Sequence, residues 1–332
     1  MLSLERRIEL LDLLSRYMLS DDKNWIDAKL NATNQNAWFK EEHIDMAVRN
    51  IAIEYLQKHK LQNWTAAYEL PTHFVMVGIV MAGNIPLVGF HDFLCGFISG
   101  HFLSFKLSSK DSVLLTHLIN KLSEWEPLVG KQVVIADNLK GCDAYIATGS
   151  NNTARYFEQY FGKYPHIIRK NRTSVAILDG KETDKDLDAL ALDVFSYYGL
   201  GCRNVTQIYV PEGYDPKRLL TGFSKYEELS NHHKYRNNYD YYLAIYLLNK
   251  VPYITNGAVL LVENKSPFSA VSIIHYQFYT NKVEVNQELI NSIDIQAVIG
   301  NGYIPFGKSQ SPTLSDYADN VDTLAFLCNV SS

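Results

Sequence analysis

The residues best suited to covalent chemistry stand in one short stretch, Tyr198-Gly199-Leu200-Gly201-Cys202-Arg203-Asn204. A thiol set among glycines and followed at once by Arg203 has the setting of a nucleophile, because a nearby cation favours the thiolate. Gly199 and Gly201 let the backbone bend sharply and let another molecule approach closely. A plainer reading competes here, with Gly201 as a helix C-cap and Cys202 as a small buried apolar side chain. The second candidate is Asn84 in the turn Gly83-Asn84-Ile85-Pro86. Its amide can donate to a developing oxyanion or serve its own Asx turn. The third set is Lys106 with Ser108 and Ser109, together with Gly149 and Ser150 ahead of another helix. Small residues where a strand passes into a helix suit phosphate groups or ribose hydroxyls. A solvated strand-end lysine is the competing reading for Lys106. Neither a GxGxxG nor a Walker motif occurs.

The elements that must position these residues follow from periodicity. Asp186 to Tyr198 has apolar residues at helical spacing, and Val205 to Val210 is a β-branched strand signal ended by Pro211. Cys202 is therefore expected on a tight turn leaving a helix and entering a strand. His73 to Val80 is a continuous apolar run, the mark of a strand buried on both faces. A helix is expected over Val88 to Ser99 and a second strand over His101 to Lys106. Ser108 and Ser109 are expected to cap a helix running to about Trp125, with Asp111 in its first turn. Lys131 to Ala136, Ala144 to Thr148, His166 to Ile168 and Ser174 to Leu178 read as strands, and Asn151 to Phe161 as a helix.

Ahead of these, residues 1–20 and 38–60 read as helices joined by a polar loop with several Asn. Beyond the cysteine, helices are expected near 215–229 and 238–250, and strands at 258–262, 271–275 and 295–299. The tail from Gly300 is loop-rich, with a final helix from about Leu314. Strands alternating with helices indicate a parallel-rich α/β sheet covered on both faces, followed by a second, smaller α/β lobe. The expected division is 1–180, 181–300 and a C-terminal segment 301–332 that returns toward the first lobe.

A net charge of −5 and a pI near 6.1 leave no basic footprint for general nucleic-acid binding. The four cysteines, at 95, 142, 202 and 328, lie far apart with no CxxC pair or zinc spacing, which fits reduced thiols in the cytoplasm. Cys95 and Cys142 read as inert core thiols. The opening MLSLERRIELLDLL carries charges inside its apolar pattern and reads as a folded amphipathic helix, not a secretion signal. Phe74 to Phe105 is long and apolar enough to span a bilayer, but Gly83, Asn84, Pro86, His91, Asp92 and His101 interrupt it. Buried elements joined by a polar turn are expected there, and no membrane span. His232-His233 lacks a third metal ligand and reads as surface or interface. The N-x-S/T triplets at Asn31, Asn171 and Asn204 read as chance matches.

The order of these segments resembles the aldehyde dehydrogenase superfamily. The wording of GNIPLVGFHDFLCGFISGH, KLSSKD, ATGSNNTARYF, DVFSYYGLGCRNV and DYADNVDTLAFL is similar to its acyl-CoA reductase branch, the LuxC-like fatty acid reductases. The resemblance spreads from about residue 70 to the C-terminus. It implies an aldehyde dehydrogenase-like α/β fold, with a Rossmann-type cofactor lobe and a smaller catalytic lobe. It also implies that Cys202 attacks the thioester of an acyl-CoA, or of an acyl carrier, and expels the thiol. Asn84 and the Cys202 backbone N–H would hold the oxyanion, and hydride from a nicotinamide would give a thiohemiacetal that collapses to aldehyde. Lys106 would contact the adenosine ribose, and Gly149 and Ser150 the pyrophosphate and nicotinamide.

Two departures from the superfamily pattern sharpen this expectation. Hydrolytic members carry a water-activating Glu some thirty residues before the cysteine, whereas no carboxylate occurs here between Glu158 and Asp179. Reduction of a thioester is the chemistry that remains. NAD-preferring relatives place a Glu three residues after the lysine, where Ser109 stands here. Its loss removes repulsion of a 2′-phosphate, and Lys110 either adds attraction or is a solvated first-turn charge, so NADPH is expected, with NADH as the alternative. Other readings stay open: a cysteine acyltransferase or thioesterase, or a non-catalytic acyl-binding subunit. A homo-oligomer or an acyl-transferring partner protein fits the same expectation.

Overall fold

The computed structural model describes residues 2–330. The chain divides into two compact units, Met1–Asn171 with Pro312–Ser332, and Arg172–Ser311. In the first unit, α1 (Leu4–Met18) is N-capped by Ser3, whose hydroxyl accepts the Arg6 N–H at 3.2 Å. The segment expected as a polar loop folds as α2 (Lys23–Gln35). Asp22 caps it, and Trp25, Ala28 and Ala32 recur at helical spacing and are buried, so three apolar residues outweigh a polar composition. The helix expected over 38–60 is broken. It runs as α3 (Glu41–Asn50), a π-helical turn over Ile51–Tyr55, and α4 (Lys58–Thr65). Gln57 marks the break, its side-chain amide donating to the Ala52 carbonyl at 2.9 Å.

The sheet of the first unit comes next. Its elements are β1 (Met76–Val80), α5 (Phe90–Ser99), β2 (Phe102–Lys106), α6 (Val113–Trp125), α7 (Pro127–Gln132), β3 (Val133–Ile135), β4 (Ala144–Thr148), α8 (Asn151–Phe161) and β5 (His166–Arg169). All five strands are parallel, in the order β3-β2-β1-β4-β5. The direction of winding reverses between β1 and β4, which makes the strand ends there a topological switch point. The core packs Val77 and Ile79 of β1 with Phe93 and Phe97 of α5 and Leu114, Leu118 and Leu122 of α6. Residues 74–105 thus fold as β1, α5 and β2. Among the described residues no helix is long and apolar enough to cross a membrane.

The second unit holds β6 (Thr173–Ile177), α9 (Asp184–Phe195), β7 (Val205–Pro211), α10 (Lys217–Phe223), α11 (His233–Leu248), β8 (Ile254–Thr255), β9 (Leu260–Glu263), β10 (Ile273–Tyr279), α12 (Lys282–Ile290) and β11 (Ile295–Gly300). Its sheet runs β11-β6-β7-β10-β9-β8, parallel except for the β8–β9 pair. Thr183 and Asp186 form a reciprocal capping box that starts α9. α9 then lies so close to α10 that a Cβ on Gly222 would stand 2.6 Å from the Leu187 Cβ. α12 was not foreseeable by periodicity, because only Val285 and Leu289 of its face are buried.

The chain returns to the first unit from Pro312. The final helix begins at Thr323, not near Leu314, because Asp322 is the residue that caps it, accepting the Ala325 N–H at 2.8 Å. This helix, α13 (Thr323–Cys328), buries Leu324 and Leu327 in the core that α5 also enters. Tyr317 fixes the segment before it, with its hydroxyl 2.9 Å from the Trp64 indole nitrogen and 2.7 Å from the Tyr68 hydroxyl.

Candidate functional site

Strand register decides which sequence-predicted residues of the first unit meet. Val80 is paired with Lys106 on one side, and with Ala147 on the other. The strands β2, β1 and β4 therefore end level, at the switch point, and the turns that follow them share one sheet edge. Those turns carry Lys106, Ser108 and Ser109, then Asn84, then Gly149 and Ser150. The Met81 N–H donates to the Lys106 carbonyl at 3.0 Å and extends the ladder one residue past β1. Beyond it the Asn84 loop lies against Ser108, since a Cβ on Gly83 would stand 2.7 Å from the Ser108 hydroxyl oxygen. Asn84, Lys106 and Ser109 are exposed and Ser108 is half-buried.

Ser108 and Ser109 do not cap a helix, contrary to expectation. The Ser108 hydroxyl instead accepts the Lys110 N–H at 3.3 Å, and its carbonyl accepts the Asp111 N–H at 3.0 Å. This closes a turn, and α6 starts only at Val113. Gln35 and Asn36, at the end of α2, hold the Ser109 and Lys110 carbonyls at 3.1 Å each. Asp111 is directed inward, where one carboxylate oxygen accepts the Leu87 N–H at 2.7 Å. Its other oxygen is buried without a hydrogen-bond partner among the described residues. Burial pushes this carboxyl up to about 7, against the smaller opposing effect of the Leu87 bond.

The turn after β4 is built for close approach. A Cβ on Gly149 would lie 2.9 Å from the Phe157 ring and 3.1 Å from the Thr153 Cβ, so a glycine lets the first turn of α8 pack there. Ser150 caps that helix, its hydroxyl accepting the Thr153 N–H at 3.2 Å. A strand-end lysine, two glycines with no room for a Cβ and a serine-capped helix start all stand at a switch point, the kind of place where open α/β sheets bind their ligands.

In the second unit Cys202 sits on the turn between α9 and β7 and is half-buried. The turn is unusual in its backbone. Tyr197, Tyr198 and Gly199 take φ values of 53°, 58° and 75°, three left-handed residues in a row. For a non-glycine residue each such conformation costs of order 1–3 kcal/mol, so the surroundings must enforce it. Both tyrosines are buried, and the Tyr198 ring lies 4.5 Å from the His232 ring, centroid to centroid. Asn204, wholly buried, donates to the carbonyls of Asp193, Val194 and Ser196 at 3.1, 3.2 and 2.8 Å. Its own side-chain oxygen accepts the Gly201 N–H at 2.8 Å. The Ser174 hydroxyl, on β6, donates to the Cys202 carbonyl at 3.0 Å. Asp193 at the end of α9 accepts the Gly307 and Ser309 N–H groups at 2.6 and 2.9 Å, and burial raises its carboxyl above the usual range.

Among the described residues no cluster of His, Cys, Asp and Glu could hold a metal ion. Cys95 and Cys142 are buried, as core thiols are expected to be, and burial raises both. Asp111 is expected only as a first-turn helix residue, Ser174 only as part of a strand and Asn204 only as a chance N-x-T triplet, so none of the three is expected at the site. The available signal for Asn204 was an amide two residues past a cysteine in a glycine turn, and its N-x-T context drew attention elsewhere.

The sequence profile of one family, described as acyl-CoA reductase (LuxC), matches residues 5–221. No curated protein sequence matches the chain. Among solved structures, aldehyde dehydrogenase 21 from Physcomitrella patens, in complex with the reaction product succinate, superposes with a TM-score of 0.66 at 13% identity, over 90% of this chain and 74% of that one. The P. syringae indole-3-acetaldehyde dehydrogenase AldA, in complex with NAD+ and IAA, gives 0.65 at 11% identity, over 90% and 72%. Succinic semialdehyde dehydrogenase from Streptococcus pyogenes, in complex with NADP+, gives 0.63 at 12% identity, over 89% and 76%. At such identities the likeness establishes the aldehyde dehydrogenase-like fold, with its two parallel-rich sheets.

Proposed function

The chain belongs to the acyl-CoA reductase (LuxC) family, whose members are NAD(P)-dependent oxidoreductases, and from that premise we propose that it reduces a fatty acyl-CoA with NADPH, through an acyl group carried on Cys202. The observation that carries the covalent step is the Cys202 turn itself. A strained backbone, held by Asn204 and Ser174, presents a half-buried thiol next to Arg203. Such a setting suits a nucleophile better than a packing thiol, which would lie wholly inside as Cys95 does.

On this reading the second unit is the catalytic unit and the first binds the cofactor. The Cys202 thiolate attacks the thioester carbonyl, the carbon–sulfur bond to CoA breaks, and CoA leaves as a thiolate that takes a proton from solvent. Asn84 and the Cys202 backbone N–H donate to the oxyanion; one such donor is worth about 2.7–4 kcal/mol. Lys106, Ser108, Ser109, Gly149 and Ser150 hold the dinucleotide. When bound, a reduced nicotinamide supplies the hydride that the acyl carbon needs to become an aldehyde. The absence of a carboxylate between Glu158 and Asp179 withholds the base that would direct water to the acyl-cysteine, and so favours reduction over hydrolysis.

The test is to mix the protein with a long-chain acyl-CoA and NADPH and follow nicotinamide absorbance and aldehyde together. Cofactor oxidation matched by aldehyde supports the reading. Release of free CoA without cofactor use would instead indicate an acyltransferase or thioesterase. Binding without turnover would indicate a non-catalytic acyl-binding subunit.

A further inference from the structure

We propose that Asn204, seconded by Ser174, is the positioning residue that fixes the thiol of Cys202; the proposal rests on the reading of Cys202 as the nucleophile. A helix ends with carbonyls that have no partner inside the helix, and they need donors from elsewhere. At the end of α9 one buried carboxamide meets this need, spreading its two N–H bonds over the carbonyls of Asp193, Val194 and Ser196. The oxygen of the same carboxamide takes the Gly201 N–H, and the Asn204 backbone N–H donates to the Gly201 carbonyl at 3.0 Å. One side chain thus binds both ends of the segment 196–204, and the residues between have no extended path left. Tyr197, Tyr198 and Gly199 adopt left-handed backbone to fit the span.

Cys202 lies inside the closed part of this loop. Its carbonyl is pinned by the Ser174 hydroxyl, and the Asn204 carbonyl accepts the Ser174 N–H at 3.2 Å, so β6 holds the carbonyls of the two residues that flank Arg203. Neither Asn204 nor Ser174 needs to touch substrate for this. Their work is to hold the Cα–Cβ direction of Cys202, and a reacting atom displaced by even 1 Å can lose about a hundredfold in rate.

The other cysteines supply internal controls. Cys95 and Cys142 are buried and report unfolding, and Cys328 belongs to the first unit and is half-buried. The experiment measures alkylation of each cysteine by iodoacetamide, resolved by peptide mass, with kcat and KM for acyl-CoA and NADPH, in Ser174→Ala and Asn204→Asp. Ser174→Ala removes one hydroxyl; Asn204→Asp keeps the shape and the Gly201 bond but turns a carboxylate on the α9 carbonyls. The expected result is a kcat lower by about tenfold to a hundredfold with both KM values unchanged. The Cys202 alkylation rate should change in step, with Cys95 and Cys142 still protected and Cys328 as before. Wild-type alkylation of Cys202 and wild-type kcat in both variants would overturn the proposal. Alkylation needs no substrate. A protein that reduces no acyl-CoA yet shows the Cys202-specific change would therefore refute the proposed reaction and leave the positioning role standing.

Discussion

One carboxylate oxygen of Asp111 accepts the backbone N–H of Leu87 at 2.7 Å, and so ties the turn after β2 to the far end of the loop that carries Asn84. Leu87 is held with φ at 55°, a conformation leucine rarely adopts. The tie matters because Asn84 stands three residues before Leu87 and Lys106 five before Asp111, one proposed for the oxyanion and the other for the cofactor. Whatever disturbs Asp111 reaches both.

The same carboxyl makes stability depend on pH in a defined direction. In the folded chain burial pushes Asp111 up to about 7, from an ordinary value of 3.8. Below both values the group is protonated in either state and contributes nothing. As pH rises from 4 to 7 the unfolded chain releases this proton while the folded chain keeps it, so stability falls. At 1.36 kcal/mol for each pH unit, the loss amounts to roughly 4 kcal/mol by neutral pH. Asp111→Asn keeps an acceptor for Leu87 but cannot ionise. Its thermal denaturation should therefore vary less than the wild type's between pH 5 and 8, and it should gain relative stability at the alkaline end. Parallel curves for the two proteins would exclude a neutral buried Asp111.

A second buried carboxylate has a cationic partner. Asp92 of α5 meets Arg169, the last residue of β5, at 2.5 Å, and both are buried. Arg169 also reaches the Thr323 hydroxyl at 2.7 Å, at the start of α13. Removing one member of a buried pair leaves a charge without compensation, which costs about 3–5 kcal/mol. Asp92→Ala should lower the denaturation midpoint sharply, while a paired Asp92→Leu, Arg169→Met change should recover much of the loss. Equal damage from the single and the paired change, measured by chemical denaturation, would show that the ion pair is not the source.

How far these features were legible in the sequence depends on the range of the interaction. The strands β1, β2, β4 and β7 were foreseen because apolar runs bounded by turn residues are local signals. The turn bearing Cys202 was foreseen for the same reason. Trp25, Ala28 and Ala32 were too sparse a stripe to mark α2, and Val285 and Leu289 too few to mark α12. The start of α6 was misplaced because Ser108 is used by its own turn and Asp111 by Leu87, a bond across 24 residues. Asn204 escaped for a related reason: its partners are backbone carbonyls 8 to 11 residues earlier, and a carbonyl leaves no trace in residue type. What a sequence shows of a site is its reactive groups, and what it hides is the backbone that aims them.

On the proposed reading, cofactor preference is set at the exposed turn after β2. Ser109 stands three residues beyond Lys106, where a carboxylate would take the ribose 2′-hydroxyl of NADH and repel a 2′-phosphate. Ser109→Glu should lower kcat/KM for NADPH relative to NADH by at least about tenfold, equivalent to ~1.4 kcal/mol. The serine side chain is not needed by the fold there, since α2 holds the residue through its carbonyl. An unchanged ratio of the two cofactors would remove this position from the 2′ site.

The oxyanion assignment gives the sharpest prediction, because two substitutions must fail in different ways. Cys202→Ala removes the atom proposed to bond the acyl carbon. It should abolish both the acyl adduct, seen as a mass increase after mixing with acyl-CoA, and NADPH oxidation. Asn84→Ala leaves the thiol in place and removes one proposed donor to the charge that develops in the transition state. An interaction made only there lowers kcat and kcat/KM together. The expected loss is about a hundredfold to a thousandfold, from 2.7–4 kcal/mol for one donor, with the adduct still forming slowly. Asn84 is exposed and the glycine before it is what the Ser108 contact requires, and thermal denaturation of the variant separates a lost donor from a lost fold. An Asn84→Ala protein with full kcat would take the carboxamide out of the reaction, and one that raised KM alone would make it a substrate-binding group.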